Sequence, residues 1–467
     1  MKDVAKVVVI GMGYVGIPAA ALFADVPGFE VIGVQRRSKR SGWKIDALNR
    51  GECPIGGDEP GLPELIKRVV LEKKTFRVTD DISVVKDADA ILIDVQTPTD
   101  EKGVPRYESL RQVCESIAPY LKKGQLVVIE STVAPGTTDY FVKPILEKGS
   151  GLKAGEDFYL AFSYERVMVG RLLHNIQNYP RIVGGINEES TKKAMELYKH
   201  IVKQPLYPTN ALTAEVAKTV ENAYRDVNIA FANEVALLCE SLGVDAYEVR
   251  RLVNTLPNDP SNPSANPYRN VHIPGAGVGG HCLPKDSWLL KYGVDAYGRF
   301  KVFPEIIVES RHLNDRMPLH MVELLEEGLE EREKNLEDSV IAVLGVAFLE
   351  NSDDPRNTPT TPLIAELKKR GVEFKLHDPH VKDHEYPEPM LRDLYKTLEG
   401  TDAMVIMTRH REYVEMDLDR AREIMRTPVI IDGRNTFNGD EVIARGFTYR
   451  GVGKGQYRTR KKDTSAT

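Results

Sequence analysis

Residues 6–34 constrain the fold of this chain more than any other stretch. Residues 6–10 are apolar and rich in valine, which reads as a buried strand. Gly11-Met12-Gly13-Tyr14-Val15-Gly16 follows at once, then a helix-like run over 17–24 and a second strand over 31–34. A G-x-G-x-x-G set between strand and helix is the fingerprint of a dinucleotide-binding βαβ unit. Its glycines allow a tight turn and let a pyrophosphate approach the helix N-terminus, where free N–H groups favour anions. Gly11, Met12, Gly13, Tyr14 and Val15 are therefore assigned to the cofactor.

Strand-like runs recur at 90–95, 126–130 and 159–162, with helix-like segments between them. This alternation argues for a parallel sheet. Ligands of such sheets bind at the carboxyl ends of strands. Gln96-Thr97-Pro98-Thr99 and the loop from Glu130 to Gly136 stand at such ends. Residues 213–242 lack helix breakers and predict a rod of about 45 Å. Lys218 and Asn222 are spaced i, i+4 on it, with Arg225 at i+7, so the three share a face. Residues 254–270 are rich in Pro, Asn and Ser and read as loop. A helix over 319–337 leads into further strands at 340–344, 373–376, 403–408 and 429–432. The first of these is followed by Gly345-Val346-Ala347-Phe348, without the glycine fingerprint. The fold class expected is α/β, with two Rossmann-like doubly wound domains joined by a long central helix. The boundaries expected are 1–208, 209–318 and 319–452, with a disordered basic tail over 453–467.

The run GAGVGGHCLPKD, residues 275–286, holds four glycines in six residues just before Cys282. Glycine at this density permits close approach of a ligand. A nucleophilic thiol needs that access and nearby positive charge, which Lys285 offers by sequence. His281 is adjacent in the chain and makes a poor base for Cys282.

Charged residues make up 28% of the 467 and the net charge is −6, so neither nucleic acid nor an anionic membrane is an expected partner. The four cysteines have no CxxC spacing, and the ten histidines form no HExxH-like cluster. No metal and no disulfide framework is expected, and a reducing cytoplasm fits. The first strand starts too early for a secretory leader to precede it, and no apolar run is long enough to span a membrane.

Taken in order, GMGYVG, the Thr97-Pro98 pair, ESTVAPGTT, Glu165-Arg166-Val167, PRIVGG, EVAKTVENAYR, GAGVGGHCLPKD, Asp353-Asp354-Pro355-Arg356 and IIDGRN resemble the UDP-glucose/GDP-mannose dehydrogenase family. The likeness runs from Lys6 to about Arg450. It implies an NAD-dependent four-electron oxidation of C6 of a nucleotide sugar to the uronic acid. Cys282 is implied as the nucleophile that forms a thiohemiacetal and then a thioester. Lys218 and Asn222 are implied as oxyanion stabilisers, Asp286 as the partner of an ordered water, and Glu165 as an aid to thioester hydrolysis. Thr132 is implied to place water or cofactor, and Thr97 to touch the cofactor. The implied substrate contacts are Glu165, Arg166, Val167, Lys218, Asn222, Arg225, Gly279, Arg356 and Arg434, with Arg269 reaching across a dimer interface.

Three positions depart from the family pattern. Gln35, followed by Arg36 and Arg37, stands where an acidic residue usually binds the ribose hydroxyls, which leaves NADP open beside NAD. Phe348-Leu349 replaces Phe-Lys, and Tyr164 replaces a proline before Glu165. The Gly-Gly-His-Cys form and residues 49–52 and 59–62 look like the branch acting on UDP-N-acetylhexosamines. UDP-N-acetylmannosamine ranks before UDP-N-acetylglucosamine, with UDP-glucose a further alternative. A homodimer is expected through Val216, Val220, Ala223, Val227, Ala230 and Phe231 of the long helix. Two other classes compete. A β-hydroxyacid or 6-phosphogluconate-type dehydrogenase performs one oxidation and needs no cysteine. A nucleotide-sugar or NAD(H) sensor binds without turnover.

Overall fold

The valine-rich strand and glycine turn at the N-terminus seed the larger of two sheets. The computed structural model describes residues 5–39, 41–56, 59–255 and 270–458. The chain divides into two compact units. The first holds Met1–Glu221 and Lys285–Phe303, the second Asn222–Pro284 and Pro304–Thr467.

The first unit carries β1 (Ala5–Ile10), β2 (Phe29–Val34), β3 (Phe76–Thr79), β4 (Ala90–Ile93), β5 (Leu126–Ile129), β6 (Tyr159–Phe162), β7 (Arg181–Gly185) and β8 (Leu206–Asn210). Their order in the sheet is β3-β2-β1-β4-β5-β6-β7-β8. All pairs are parallel except β6 with β7. The first six strands thus follow the doubly wound dinucleotide-binding order. Side chains alternate between two cores. Val7 and Val9 pack on one face with Phe23 and Leu48, while Val8 and Ile10 pack on the other with Ile117 and Phe162. Helices cover both faces, which is why β1 reads as an unbroken apolar run.

The second unit carries β9 (Val340–Leu344), β10 (Glu373–His377), β11 (Ala403–Ile406), β12 (Val429–Asp432) and β13 (Thr448–Gly451) in the order β10-β9-β11-β12-β13, all parallel. It is a second α/β sheet buried on both faces. The 32-residue helix Ala211–Leu242 carries the chain from the first unit into the second.

Two expectations need correction. The helix expected over 319–337 spans Glu305–Glu330 and runs through Pro318, so the boundary drawn at 318 falls inside a helix. The basic tail was expected to be disordered from 453. Its first residues are instead built into the second unit. Gly453 N–H donates to Glu240 Oε1 at 2.6 Å, Lys454 pairs with Asp245 at 3.0 Å, and Arg458 bonds Glu240 and Glu327. Residues 459–467 lie outside the described residues, as does Arg269.

Candidate active site

The glycine turn has the geometry that a dinucleotide requires. Gly11 has φ 110°, and a Cβ there would lie 2.2 Å from the Asp94 carbonyl oxygen. A Cβ at Gly16 would lie 2.0 Å from the Gly11 carbonyl oxygen. Gly13 differs, since a Cβ there meets no protein atom within 4 Å. Two glycines serve the protein's own packing, and the third leaves open space at the N-terminal end of the helix Gly16–Asp25. That opening, with the positive end of the helix, fits a pyrophosphate.

Gln35 is tied into this turn. Met12 N–H donates to its Oε1 at 3.0 Å, and its Nε2 donates to Ser41 Oγ at 3.0 Å. Arg37 pairs with Asp80 at 3.2 Å and Asp46 at 3.5 Å, while Arg36 is exposed. Thr97 is buried, and its hydroxyl donates to the Thr132 carbonyl at 2.5 Å, joining the loops that follow β4 and β5.

Lys218 is held in place before any ligand arrives. Its Nζ donates to the Glu165 carbonyl oxygen at 3.1 Å and lies 5.0 Å from the centre of the Tyr164 ring. Tyr164, the departure from proline, thus gives the ammonium an aromatic face. The Tyr164 hydroxyl donates to Glu221 Oε2 at 3.1 Å, and Arg166 bonds the same carboxylate through Nε at 2.9 Å and NH2 at 2.8 Å. Val167 is half-buried against the apolar core. The Glu165 side chain is buried and paired with Arg181. On the long helix Lys218 is buried, Asn222 half-buried and Arg225 exposed.

Cys282 is the exposed cysteine among the four. It stands immediately before the helix Leu283–Tyr297, whose first turn contains Pro284. Unpaired N–H groups at that end favour negative charge beside the sulfur. Lys285 does not bring a free charge to the thiol, because its Nζ is spent on Asp286 Oδ1 at 2.7 Å, both side chains buried. The glycines before the thiol answer to the protein itself. A Cβ at Gly279 would lie 2.5 Å from Phe348 Cβ, and one at Gly275 would lie 2.8 Å from Arg434 NH1. The loop is then fastened at several points. Gly275 N–H donates to Asn233 Oδ1 at 2.9 Å, Gly280 N–H to the Arg356 carbonyl at 2.9 Å, and Arg434 NH2 to the Gly277 carbonyl at 3.2 Å. Arg356 is doubly bonded to Asp354.

Sequence reading missed Glu215. It is buried one turn before Lys218 and accepts from Gly136 N–H (2.6 Å), Thr138 N–H (2.8 Å) and Thr138 Oγ1 (2.7 Å). It clamps the loop that carries Thr132 to the helix that carries Lys218. Burial pushes its carboxyl up to about 7 despite those three donors. Its i, i+3 spacing from Lys218 was the available signal.

A doubly wound sheet whose glycine turn is open to a pyrophosphate defines the class as a dinucleotide-binding protein. The chain belongs to the UDP-glucose/GDP-mannose dehydrogenase family, matching its NAD binding domain over residues 5–202, its central domain over 212–316 and its UDP binding domain over 342–439. It is an NAD-dependent UDP-sugar dehydrogenase. Among its relatives, the UDP-N-acetyl-D-mannosamine dehydrogenase of Pyrococcus horikoshii is 37% identical over 96% of this chain and 99% of that one. The solved structure of the Pyrococcus horikoshii UDP-D-ManNAc dehydrogenase matches with a TM-score of 0.86 over 97% of this chain and 100% of that one. The crystal structure of an NDP-N-acetyl-D-galactosaminuronic acid dehydrogenase from Methanosarcina mazei Go1 is 45% identical, with a TM-score of 0.85 over 98% of this chain and 97% of that one. A UDP-glucose dehydrogenase structure from Pyrobaculum islandicum is 26% identical, with a TM-score of 0.81 over 96% and 98% of the two chains. Among the described residues, no cluster of His, Cys, Asp and Glu is placed to hold a metal, and no helix is long and apolar enough to cross a membrane.

Proposed function

We propose that this chain oxidises C6 of a UDP-N-acetylhexosamine to the uronic acid, as a UDP-N-acetyl-D-mannosamine 6-dehydrogenase. The observation that carries the reading is the exposed Cys282 at a helix N-terminus, in a chain matched over nearly its whole length by relatives bearing that name. The glycine turn would hold NAD, which when bound would supply the hydride acceptor for each oxidation at C6. The residues do the rest. The Cys282 sulfur adds to the C6 aldehyde to give a thiohemiacetal, whose oxygen Lys218 and Asn222 stabilise. Lys218 is preorganised for this by Glu165 and Tyr164. Loss of the second hydride leaves a thioester on Cys282. Water then adds, with Glu165 and Asp286 managing its proton and Thr132 helping to place it. Arg166, Val167, Arg225, Arg269, Gly279, Arg356 and Arg434 hold the sugar nucleotide. The protein acts in the cytoplasm as a homodimer built on the long helix.

A second reading, UDP-N-acetylgalactosamine, is favoured by the 45% identity to the Methanosarcina mazei Go1 enzyme named for N-acetyl-D-galactosaminuronic acid. The test is NAD reduction against UDP-N-acetylmannosamine, UDP-N-acetylglucosamine, UDP-N-acetylgalactosamine and UDP-glucose. The reading expects two NADH per UDP-N-acetylmannosamine. One NADH per sugar removes the covalent route, and preference for UDP-glucose removes the N-acetyl assignment.

A further inference from the structure

Beneath the glycine turn lies a polar cluster that the scheme above leaves unused, apart from Glu165. Asp94 follows β4, Glu130 follows β5, Glu165 follows β6, and Arg181 opens β7. Because β7 runs antiparallel to β6, its first residue returns to the carboxyl end of the sheet. There the Arg181 guanidinium is hydrogen-bonded through two of its nitrogens and ion-paired through the third. Nε donates to Ser163 Oγ at 2.8 Å, NH2 to the Ser163 carbonyl at 3.0 Å and to Glu130 Oε1, and NH1 meets Glu165 Oε1. The guanidinium lies over the Tyr198 ring, 3.7 Å from its centre, and the Tyr198 hydroxyl donates to Glu130 Oε1 at 2.7 Å. The side chains of Arg181, Glu130 and Glu165 are 3%, 0% and 6% exposed.

Oδ2 of Asp94 and Oε2 of Glu130 are buried with no donor among the described residues. A charge on one carboxyl disfavours a charge on its neighbour. Burial, and then the neighbouring Glu130, push Asp94 well above the usual carboxylate range.

We propose that Arg181 is a positioning residue for Glu165, itself held in place by Ser163, Glu130 and the Tyr198 ring. The proposal rests on the reading of Glu165 as the base in thioester hydrolysis. In that step the oxygen of water bonds to the thioester carbon, the carbon–sulfur bond breaks, sulfur leaves as the Cys282 thiolate, and the water proton passes to Glu165. A base in this role must keep one rotamer and one free lone pair. Arg181 fixes the first through Oε1 of Glu165 and leaves Oε2 for the second. The other charged groups around Glu165 are Lys218, bonded to its carbonyl, and the Arg166–Glu221 pair beside it.

The experiment follows NADH by stopped flow with the preferred UDP-sugar for wild type, Arg181→Gln, Arg181→Lys and Glu130→Gln. Both hydride transfers precede hydrolysis. Arg181→Gln should therefore give a burst of two NADH per site, then a steady state about a hundredfold slower, the scale of a misplaced catalytic group. The acyl group should be found on Cys282 by mass spectrometry. Arg181→Lys should recover part of the steady rate. Glu130→Gln removes one charged brace from Arg181, so it should keep the burst and slow the steady state, by less than Arg181→Gln does. A slow steady state without a burst, or a wild-type steady rate in Arg181→Gln, overturns the proposal. If Arg181→Gln does not fold, the near-isosteric Glu130→Gln decides alone by the same criterion. Wild type that forms no NADH with any UDP-sugar marks failure of the functional reading instead, and takes this proposal with it.

Discussion

Burial sorts the four cysteines by chemistry. Cys114 is buried and its thiol is pushed up to about 12 by desolvation, and burial also raises Cys53 and Cys239. Cys282 alone is exposed. Cys282→Ser should therefore stop the reaction after the first oxidation, because a serine alkoxide is a far harder species to form than a thiolate. The measure is NADH per UDP-sugar with the aldehyde trapped by a hydrazine. Full uronic acid at the wild-type rate would refute the covalent route. The cofactor end supplies the second expectation at this scale. Arg37 is spent on Asp80 and Asp46, and the Gln35 carbonyl oxygen is spent on Met12 N–H. Neither is poised for a 2′-phosphate, so kcat/KM should favour NAD over NADP by at least about tenfold, the scale of one charge-assisted hydrogen bond. Equal values would mean that Arg36 reaches the phosphate. The identity of the residue at 35 was legible in the sequence. Its use as a brace for the turn was not, since that depends on how close Met12 N–H comes to the end of β2.

Elements with strong patterns were legible, and those shaped by their neighbours were not. The strands expected at 159–162, 340–344 and 429–432 coincide with β6, β9 and β12. β3, β7, β8 and β13 were missed. β7 ends in Gly184 and Gly185, which weakens a strand pattern. Both are required there, because a Cβ would come within 2.4 Å of the Asn210 carbonyl oxygen and 2.3 Å of the Thr191 nitrogen. β8 contains Pro208, which suits an edge strand alone. Pro318 stands just before the helix expected over 319–337 and is instead inside the helix Glu305–Glu330, its ring 3.1 Å from where a Cβ of Gly277 would lie. The same helix carries His320, which bonds Glu240 on the long helix and Glu323 on its own, each at 2.8 Å. Burial opposes the imidazolium, but these two carboxylates outweigh it and hold the pKa up to about 9. A folded pKa above the unfolded value of about 6.5 gives stability that is complete below 6.5 and is lost as pH rises through about 9. His320→Gln should cost about 3 kcal/mol at pH 6 relative to its cost at pH 10. Urea midpoints at the two pH values measure this, and a constant gap would show that His320 is neutral in the fold.

At the scale of the whole molecule, the long helix poses a problem of exposed apolar surface. Its sequence stripe was legible as a period but not as a face. Ala223 and Ala230 are buried within the chain, so they leave the expected interface. Val216, Val220, Tyr224, Phe231, Leu238 and Leu242 remain exposed, joined by the half-buried Val227. Their spacing follows one side of a helix over more than six turns. Tyr224 at 70%, Phe231 at 54% and Leu238 at 58% exposure are large side chains in sequence positions that a second copy of the same helix would cover twice over. Fully burying one such side chain contributes roughly 1.5–3 kcal/mol. A two-fold pairing counts each contact twice, because a self-complementary patch meets its own copy. Several anchors in each copy are then enough to offset the cost of association, which is about 4–15 kcal/mol. The chain should therefore sediment as a dimer at micromolar concentration. Phe231→Glu places a charge in the middle of the stripe and should shift it to a monomer with little effect on the thermal midpoint of the isolated fold, since Phe231 is more than half exposed and belongs to none of the buried apolar clusters among the described residues. A wild-type monomer at that concentration, or a Phe231→Glu dimer, would mean that the stripe is not the surface on which two copies meet.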